Sequence, residues 1–341
     1  MTSLKTTGLA VAIGLLAGVT AAHAQGSGSA TLDAVKARGQ LVCGVTTGVA
    51  GFSLADSKGV IQGIDADDCR AIAAATLGDA SKVRFVPLTT TNRFTALQSG
   101  EVDVLIRETT WTLGREANLG LEFADVNFYD GTGFLVKASG GVKSAKEMDG
   151  ATICVEQGTS TELAIDDYFR INNLKFTPIE SQDVNELQAA FLSGRCDAYS
   201  TDSSALAGFR SQQSKPTDFV LLPEIISKEP LGPMVRKGDD KWLDIVKWTH
   251  YAMLTAEEAG VSSKNVDTFA ATTNPDLRRL LGLEGDMGKA LGIDNKWAYN
   301  VVKQVGNFGE IWDRNITPMG VPRGINNLWN KGGLQYAPPI R

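Results

Sequence analysis

Thr152-Ile153-Cys154-Val155, running on through Glu156-Gln157-Gly158-Thr159-Ser160-Thr161-Glu162, is an apolar run that breaks at a glycine and restarts with helix-opening residues. A short apolar run bounded by turn residues reads as a buried strand. Thr159 with Glu162 three positions on has the form of a capping box, so a helix is expected over 162–170. After it come a strand over 174–178, a helix over 184–193 and a strand over 197–201. Before it the same cycle runs once already: strands over 41–45, 83–86 and 102–106, with helices opened by Asp65 and by Asn92. Phe134 to Lys137 reads as a strand crossing between the two cycles. Strands alternating with helices argue an α/β fold with mostly parallel pairing. Two such units joined by extended segments make two lobes with a cleft between them. The boundaries fall at 31–134 for lobe 1 and 135–226 for lobe 2, with 227–341 returning to lobe 1 and ending as a helical extension. Pro230 and Pro233 stiffen the return.

Lys5, the uncharged apolar stretch from Gly8 to Thr20 and Ala22-His23-Ala24 form a secretory signal with a small-x-small cleavage site. Residues 1–24 are read as that signal and 25–30 as a flexible leader. The apolar stretch is too short for a membrane span, and no direct membrane insertion is expected. The net charge of −6 becomes −7 when Lys5 leaves with the signal, which disfavours a nucleic-acid partner. The chain has four cysteines, and a secretory context lets them pair. Cys43 on a strand with Cys69 on the next helix, and Cys154 with Cys196 farther along, suggest one disulfide per lobe, each on the order of 3 to 4 kcal/mol. Four separate buried thiols are the competing account. Only His250 remains after signal removal, so a His-rich zinc site is excluded and no other residue can serve a Ser-His-Asp triad. It lies in a helical pattern over 242–254 and reads as a packed or surface residue.

The polar residues at strand ends suit a free amino acid, which offers a carboxylate and an ammonium. Thr110, Thr112 and Arg115 follow the strand over 102–106; a guanidinium grips a carboxylate through two parallel hydrogen bonds, and hydroxyls fix its plane. A surface helix charge is the competing reading of Arg115. Gly158, Thr159 and Ser160 open a helix whose amides attract an anion, beside the plain capping reading. Asp202 can accept from a ligand ammonium or cap the helix that follows it. Asp65 reads as a cap. Phe52 is placed either over the ligand side chain or in the core.

Cys43-Gly44-Val45, Gly63-Ile64-Asp65, Asn92-Arg93-Phe94, Ser99 to Leu105, Thr109 to Thr112 with Arg115, and Tyr129-Asp130-Gly131 together resemble the family 3 periplasmic solute-binding proteins. Gln157 to Glu162, Gly194-Arg195-Cys196-Asp197, Ser227 to Pro233, Ala256-Glu257-Glu258, Arg323-Gly324-Ile325-Asn326 and Pro338 to Arg341 are similar to the general L-amino-acid-binding branch. The likeness covers nearly the whole chain beyond the signal, and it is the order and number of motifs that make it specific. It implies the type II two-lobed periplasmic fold, no catalysis and no cofactor or metal. The implied partners are a free L-amino acid and the membrane permease of an ABC importer, and the chain is expected to act as a monomer in the periplasm. It assigns Thr110, Arg115 and Gly158-Thr159-Ser160 to the α-carboxylate and Asp202 to the α-ammonium. Arg93 matches a position that faces side-chain carboxylates, which points to glutamate, aspartate or their amides. Glu108 departs from the branch, which has a neutral amide there. The rivals are an enzyme on the same scaffold, of dehydratase or lytic transglycosylase kind, and a ligand-sensing receptor.

Overall fold

The computed structural model describes residues 27–341 and, before them, Thr2 alone. The signal reading of 1–24, that residue apart, lies outside the described residues, as do Gln25 and Gly26. Ser27 to Ala30, expected as part of a flexible leader, is tied down instead. Ser29 is buried and caps the helix Ala30–Arg38 by accepting from the Leu32 N–H, and its hydroxyl donates to Asp239 Oδ2 at 2.9 Å.

Two five-stranded sheets repeat one plan. The first runs in the order Val83–Pro87, Leu41–Val45, Val104–Leu105, Met234–Arg236, Leu121–Phe123. The second runs Phe176–Ser181, Ala151–Glu156, Ala198–Asp202, Thr132–Lys137, Phe219–Leu221. In each, three mutually parallel strands form one side and an antiparallel strand follows. Leu41–Val45 is buried along its length, as an apolar strand covered on both faces must be. Cys43–Cys69 joins it to the helix Ile64–Leu77, and Cys154–Cys196 closes the second sheet onto its neighbouring turn, with Cα atoms 6.1 and 5.7 Å apart. The four-thiol alternative is thereby removed.

Thr132–Lys137 is not a crossing strand but an interior member of the second sheet, so residues 132–134 pair there as well. The crossings are Phe128–Asp130 and Glu229–Leu231, which pair antiparallel between the lobes. The helical extension shares the core of lobe 1: Trp242 on Asp240–Glu258, Trp297 on Trp297–Gln304 and Trp312 on Phe308–Asn315 are all buried there. No described helix is long and apolar enough to cross a membrane.

Candidate functional site

Both sheets direct their strand ends into the cleft between them, and the first wall is built on arginines. Arg115 sits on the helix Leu113–Asn118 and lines the cleft. Its Nη1 donates to the Thr110 carbonyl at 2.8 Å, and its guanidinium lies 5.4 Å from the Phe94 ring centroid. Among the described residues nothing accepts from its Nε–Nη2 edge, which stays available for a bidentate partner. Arg93 is buried with its guanidinium over the same ring, 4.7 Å from its centroid, and with Nε and Nη2 unpartnered. Burial first, then the nearby Arg107 and Arg115, holds the Arg93 guanidinium well below its usual range. Burial also lowers Arg115, against the pull of Glu229 and Asp202. A buried cation with idle donors is costly unless an anion arrives.

The second wall begins where the strand Ala151–Glu156 gives way to the helix Ser160–Ile171. Thr159 caps it, accepting from the Glu162 N–H at 3.2 Å, so capping is realised. Among the described residues the Thr159, Ser160 and Thr161 amides have no protein acceptor, and the cap leaves an anion site open. Asp202 ends the strand Ala198–Asp202 in the same cleft, buried, and among the described residues its carboxylate has no hydrogen bond to the protein. It does not cap the helix Ser203–Ser211, because Asp130 does: it accepts from the Ser203 hydroxyl at 2.6 Å and from the Ser204 N–H at 3.3 Å. Burial first, then Asp130 and Glu229, pushes the Asp202 carboxyl well above the ordinary carboxylate range, with Arg115 opposing.

The cleft thus gathers Arg93, Thr110, Arg115, Thr159, Ser160 and Asp202. Three other candidates lie elsewhere. Thr112 accepts from the Arg115 N–H as a helix cap and acts only through that residue. Gly158, at φ 75°, gives its N–H to Glu162 Oε2 at 2.8 Å, so that amide is already taken. Phe52 is fully buried in the core of lobe 1, edge-on to Phe128 at 5.2 Å. Asp65 is no cap either: Gly63 holds the cap position, and the Asp65 carboxylate accepts from the Glu108 N–H at 3.1 Å. His250 is buried 3.4 Å from Gln335 Oε1, outside the residues lining the cleft.

The lobes touch across this space. Thr110 Oγ1 and Ser160 Oγ are 3.0 Å apart, Thr91 donates to Gln182 at 2.7 Å, and Arg107 Nη2 reaches Glu156 Oε1 at 3.4 Å. Sequence reasoning missed Arg107 and Glu156, whose pairing exists only between the assembled lobes. Gly208 on the lobe 2 helix lets that helix approach lobe 1: a Cβ there would lie 2.8 Å from the Ala50 carbonyl oxygen and 2.9 Å from Met319 Sδ. Met319 can yield, but the backbone cannot. Gly208→Val is therefore expected to penalise the closed arrangement by about 1 to 3 kcal/mol and weaken ligand affinity roughly five- to 150-fold. Calorimetry checks the affinity, and an unliganded melting temperature within a few degrees of the parent shows that the fold survives.

Residues 41–260 match the model of the bacterial extracellular solute-binding proteins, family 3. The chain is 54% identical over 337 residues to the putative amino-acid ABC transporter-binding protein YhdW of Escherichia coli O157:H7, covering 98% of each. It is 54% identical over 326 residues to the glutamate/glutamine/aspartate/asparagine-binding protein BztA of Rhodobacter capsulatus, covering 94% of this chain and 96% of that one. It is 51% identical over 338 residues to the general L-amino acid-binding periplasmic protein AapJ of Rhizobium johnstonii, covering 98% of each. Among solved structures, a periplasmic binding protein from Brucella ovis with glutathione bound superposes with a TM-score of 0.89 at 52% identity, over 91% of this chain and 99% of that one.

Proposed function

Because this chain belongs to the bacterial extracellular solute-binding proteins of family 3, we propose that its cleft captures a free polar L-amino acid in the periplasm and delivers it to the permease of an ABC importer. Arg115 takes the α-carboxylate, helped by Thr110, Ser160 and the open amides of Thr159 to Thr161. Asp202 takes the α-ammonium, and Arg93 faces the side chain. The observation that carries this reading is one free guanidinium edge and one free carboxylate on opposite walls of a single cleft. Together they match the two ionised ends of an α-amino acid, and burying those ends is tolerable only when both are paired. The idle donors of Arg93 favour an acidic or amide side chain, the set named in the BztA relative. Lobes swinging about the crossings Phe128–Asp130 and Glu229–Leu231 enclose the ligand without chemical change, and the permease reads the closed shape. Residues 1–24 are removed on export, and the chain acts as a monomer.

A second ligand class has a specific observation behind it. The γ-glutamyl residue of glutathione, the molecule held by the Brucella ovis relative, carries the same free ammonium and carboxylate as an amino acid. A thermal-shift screen across the natural amino acids and glutathione tests both. At a hundredfold excess over Kd the ligand adds about 2.7 kcal/mol, a rise of roughly 4 °C or more. No rise with any of them sinks the proposal.

A further inference from the structure

The cleft that Asp202 lines holds a second carboxyl that this capture scheme leaves unused. Glu108 lines the cleft, and with Asn173 it is one of two described non-glycine residues in the left-handed region, at φ 38°. Such a turn costs a residue with a Cβ about 1 to 2 kcal/mol. Here it is fastened by the buried Asp65 on the first turn of the helix Ile64–Leu77, whose Oδ2 accepts the Glu108 N–H at 3.1 Å. No protein group among the described residues hydrogen-bonds the Glu108 carboxyl oxygens, so the strained turn delivers an unpaired acid to the ligand space.

The charged groups around it come from every element packed there. Asp202 and Tyr199 stand on the strand Ala198–Asp202, Glu156 on Ala151–Glu156, Asp65 below, and Arg107 alongside; Arg93 and Arg115 line the same cleft farther round. Burial first, then Asp202 and Asp65, pushes the Glu108 carboxyl well above its ordinary range, with Arg107 opposing and Glu156 adding to the rise. Two acids lining one buried cleft resist ionising together, and among the described residues none of these arginines hydrogen-bonds either carboxyl. An ammonium brings three N–H donors, and one carboxylate leaves donors to spare.

We propose that Glu108 is a second acceptor for the ligand α-ammonium, that it shares one proton with Asp202 while the cleft is empty, and that capture of an amino acid expels that proton to solvent. The inference rests on the functional reading above. The balance is simple: the protonated pair and a cationic ligand head give a complex with two carboxylates on one ammonium, plus one proton released. Protons and ligand compete, so affinity rises with pH until the empty pair is itself ionised or the ligand amine loses its charge.

The test is calorimetry with L-glutamine, whose side chain does not titrate, in phosphate and in Tris at pH 7. Binding to the parent protein is expected to release about half a proton to one proton at pH 7, and affinity to rise roughly ten- to a hundredfold between pH 6 and pH 8. Glu108→Gln, which keeps an oxygen acceptor but leaves Asp202 to titrate alone, is expected to bind with no more than about half the parent's proton release and a correspondingly flatter pH profile. Buffer-independent heats for the parent, or equal release from parent and variant, overturn the inference alone. No glutamine heat together with no thermal shift from any amino acid overturns the functional reading, and this inference falls with it.

Discussion

Replacing Arg115 with alanine is expected to remove amino-acid binding from calorimetry, an affinity loss of roughly two to three and a half orders of magnitude, while the protein stays folded. The loss follows from what the ligand carboxylate finds in the mutant cleft. It gives up its hydration on entry, and without the guanidinium it meets only the Thr110 and Ser160 hydroxyls, which already engage each other at 3.0 Å, and the helix-start amides. Breaking a buried charge pair by removing one partner costs about 3 to 5 kcal/mol, because the other charge stays desolvated and unpaired. The fold loses far less: one hydrogen bond from Nη1 to the Thr110 carbonyl, about 1 kcal/mol, and a stacking contact with Phe94 of about the same size. Arg115→Lys restores the charge but not the paired donors, so it should recover only part of the affinity. Unchanged binding in the alanine variant would take Arg115 out of the site.

Much of the architecture is legible in the sequence because its signals are local. Leu41–Val45 and Ala151–Glu156 are apolar runs that end in turn residues, and the helix Val184–Ser193 occupies the span its pattern predicts. What escaped depends on partners distant in the chain. Tyr129-Asp130-Gly131 reads as a turn from sequence, and the strand character of Phe128–Asp130 comes from pairing with Glu229–Leu231 about a hundred residues later. Phe52 has the same local look whether it covers a ligand or packs on Phe128, and the tertiary fold decides for the core. Gly158 sits in an anion-binding pattern, but Glu162 reaches back and occupies its N–H. The two readings of Asp202 were equally good locally. Asp202 holds the N-cap position, but a carboxylate on another strand, Asp130, supplies the capping acceptors and leaves the Asp202 side chain to the cleft. Arg115 and Asp202 were legible as charges at strand ends, whereas their opposition across one gap belongs to the assembled lobes.

That same displacement makes Asp202→Asn the sharpest separation of ligand capture from structure. The asparagine keeps the shape and one acceptor oxygen but not the charge, so a buried ligand ammonium loses the counter-ion on the lobe 2 wall and keeps at most Glu108. Affinity is expected to fall at least about a hundredfold, in the range for halving a buried pair. Stability should move the other way. Burial raises the Asp202 pKa in the folded protein, so the folded state binds more protons than the unfolded one. The contribution of this group to stability is therefore greatest at low pH and falls as pH rises past the unfolded value. At pH 7 the empty protein carries that penalty, and the asparagine removes it without breaking a cap, because Asp130 still holds the start of the helix Ser203–Ser211. Unliganded Asp202→Asn should accordingly melt no lower than the parent at pH 7, and the gap in its favour should close toward pH 4. Asp130→Asn, which weakens the acceptors of Ser203 and Ser204, is the opposing control and should melt lower. Thermal melts across that pH range, paired with calorimetry, give both readings at once. A destabilised Asp202→Asn that still binds at parental affinity would make the carboxylate a structural group and leave the ligand ammonium without its partner.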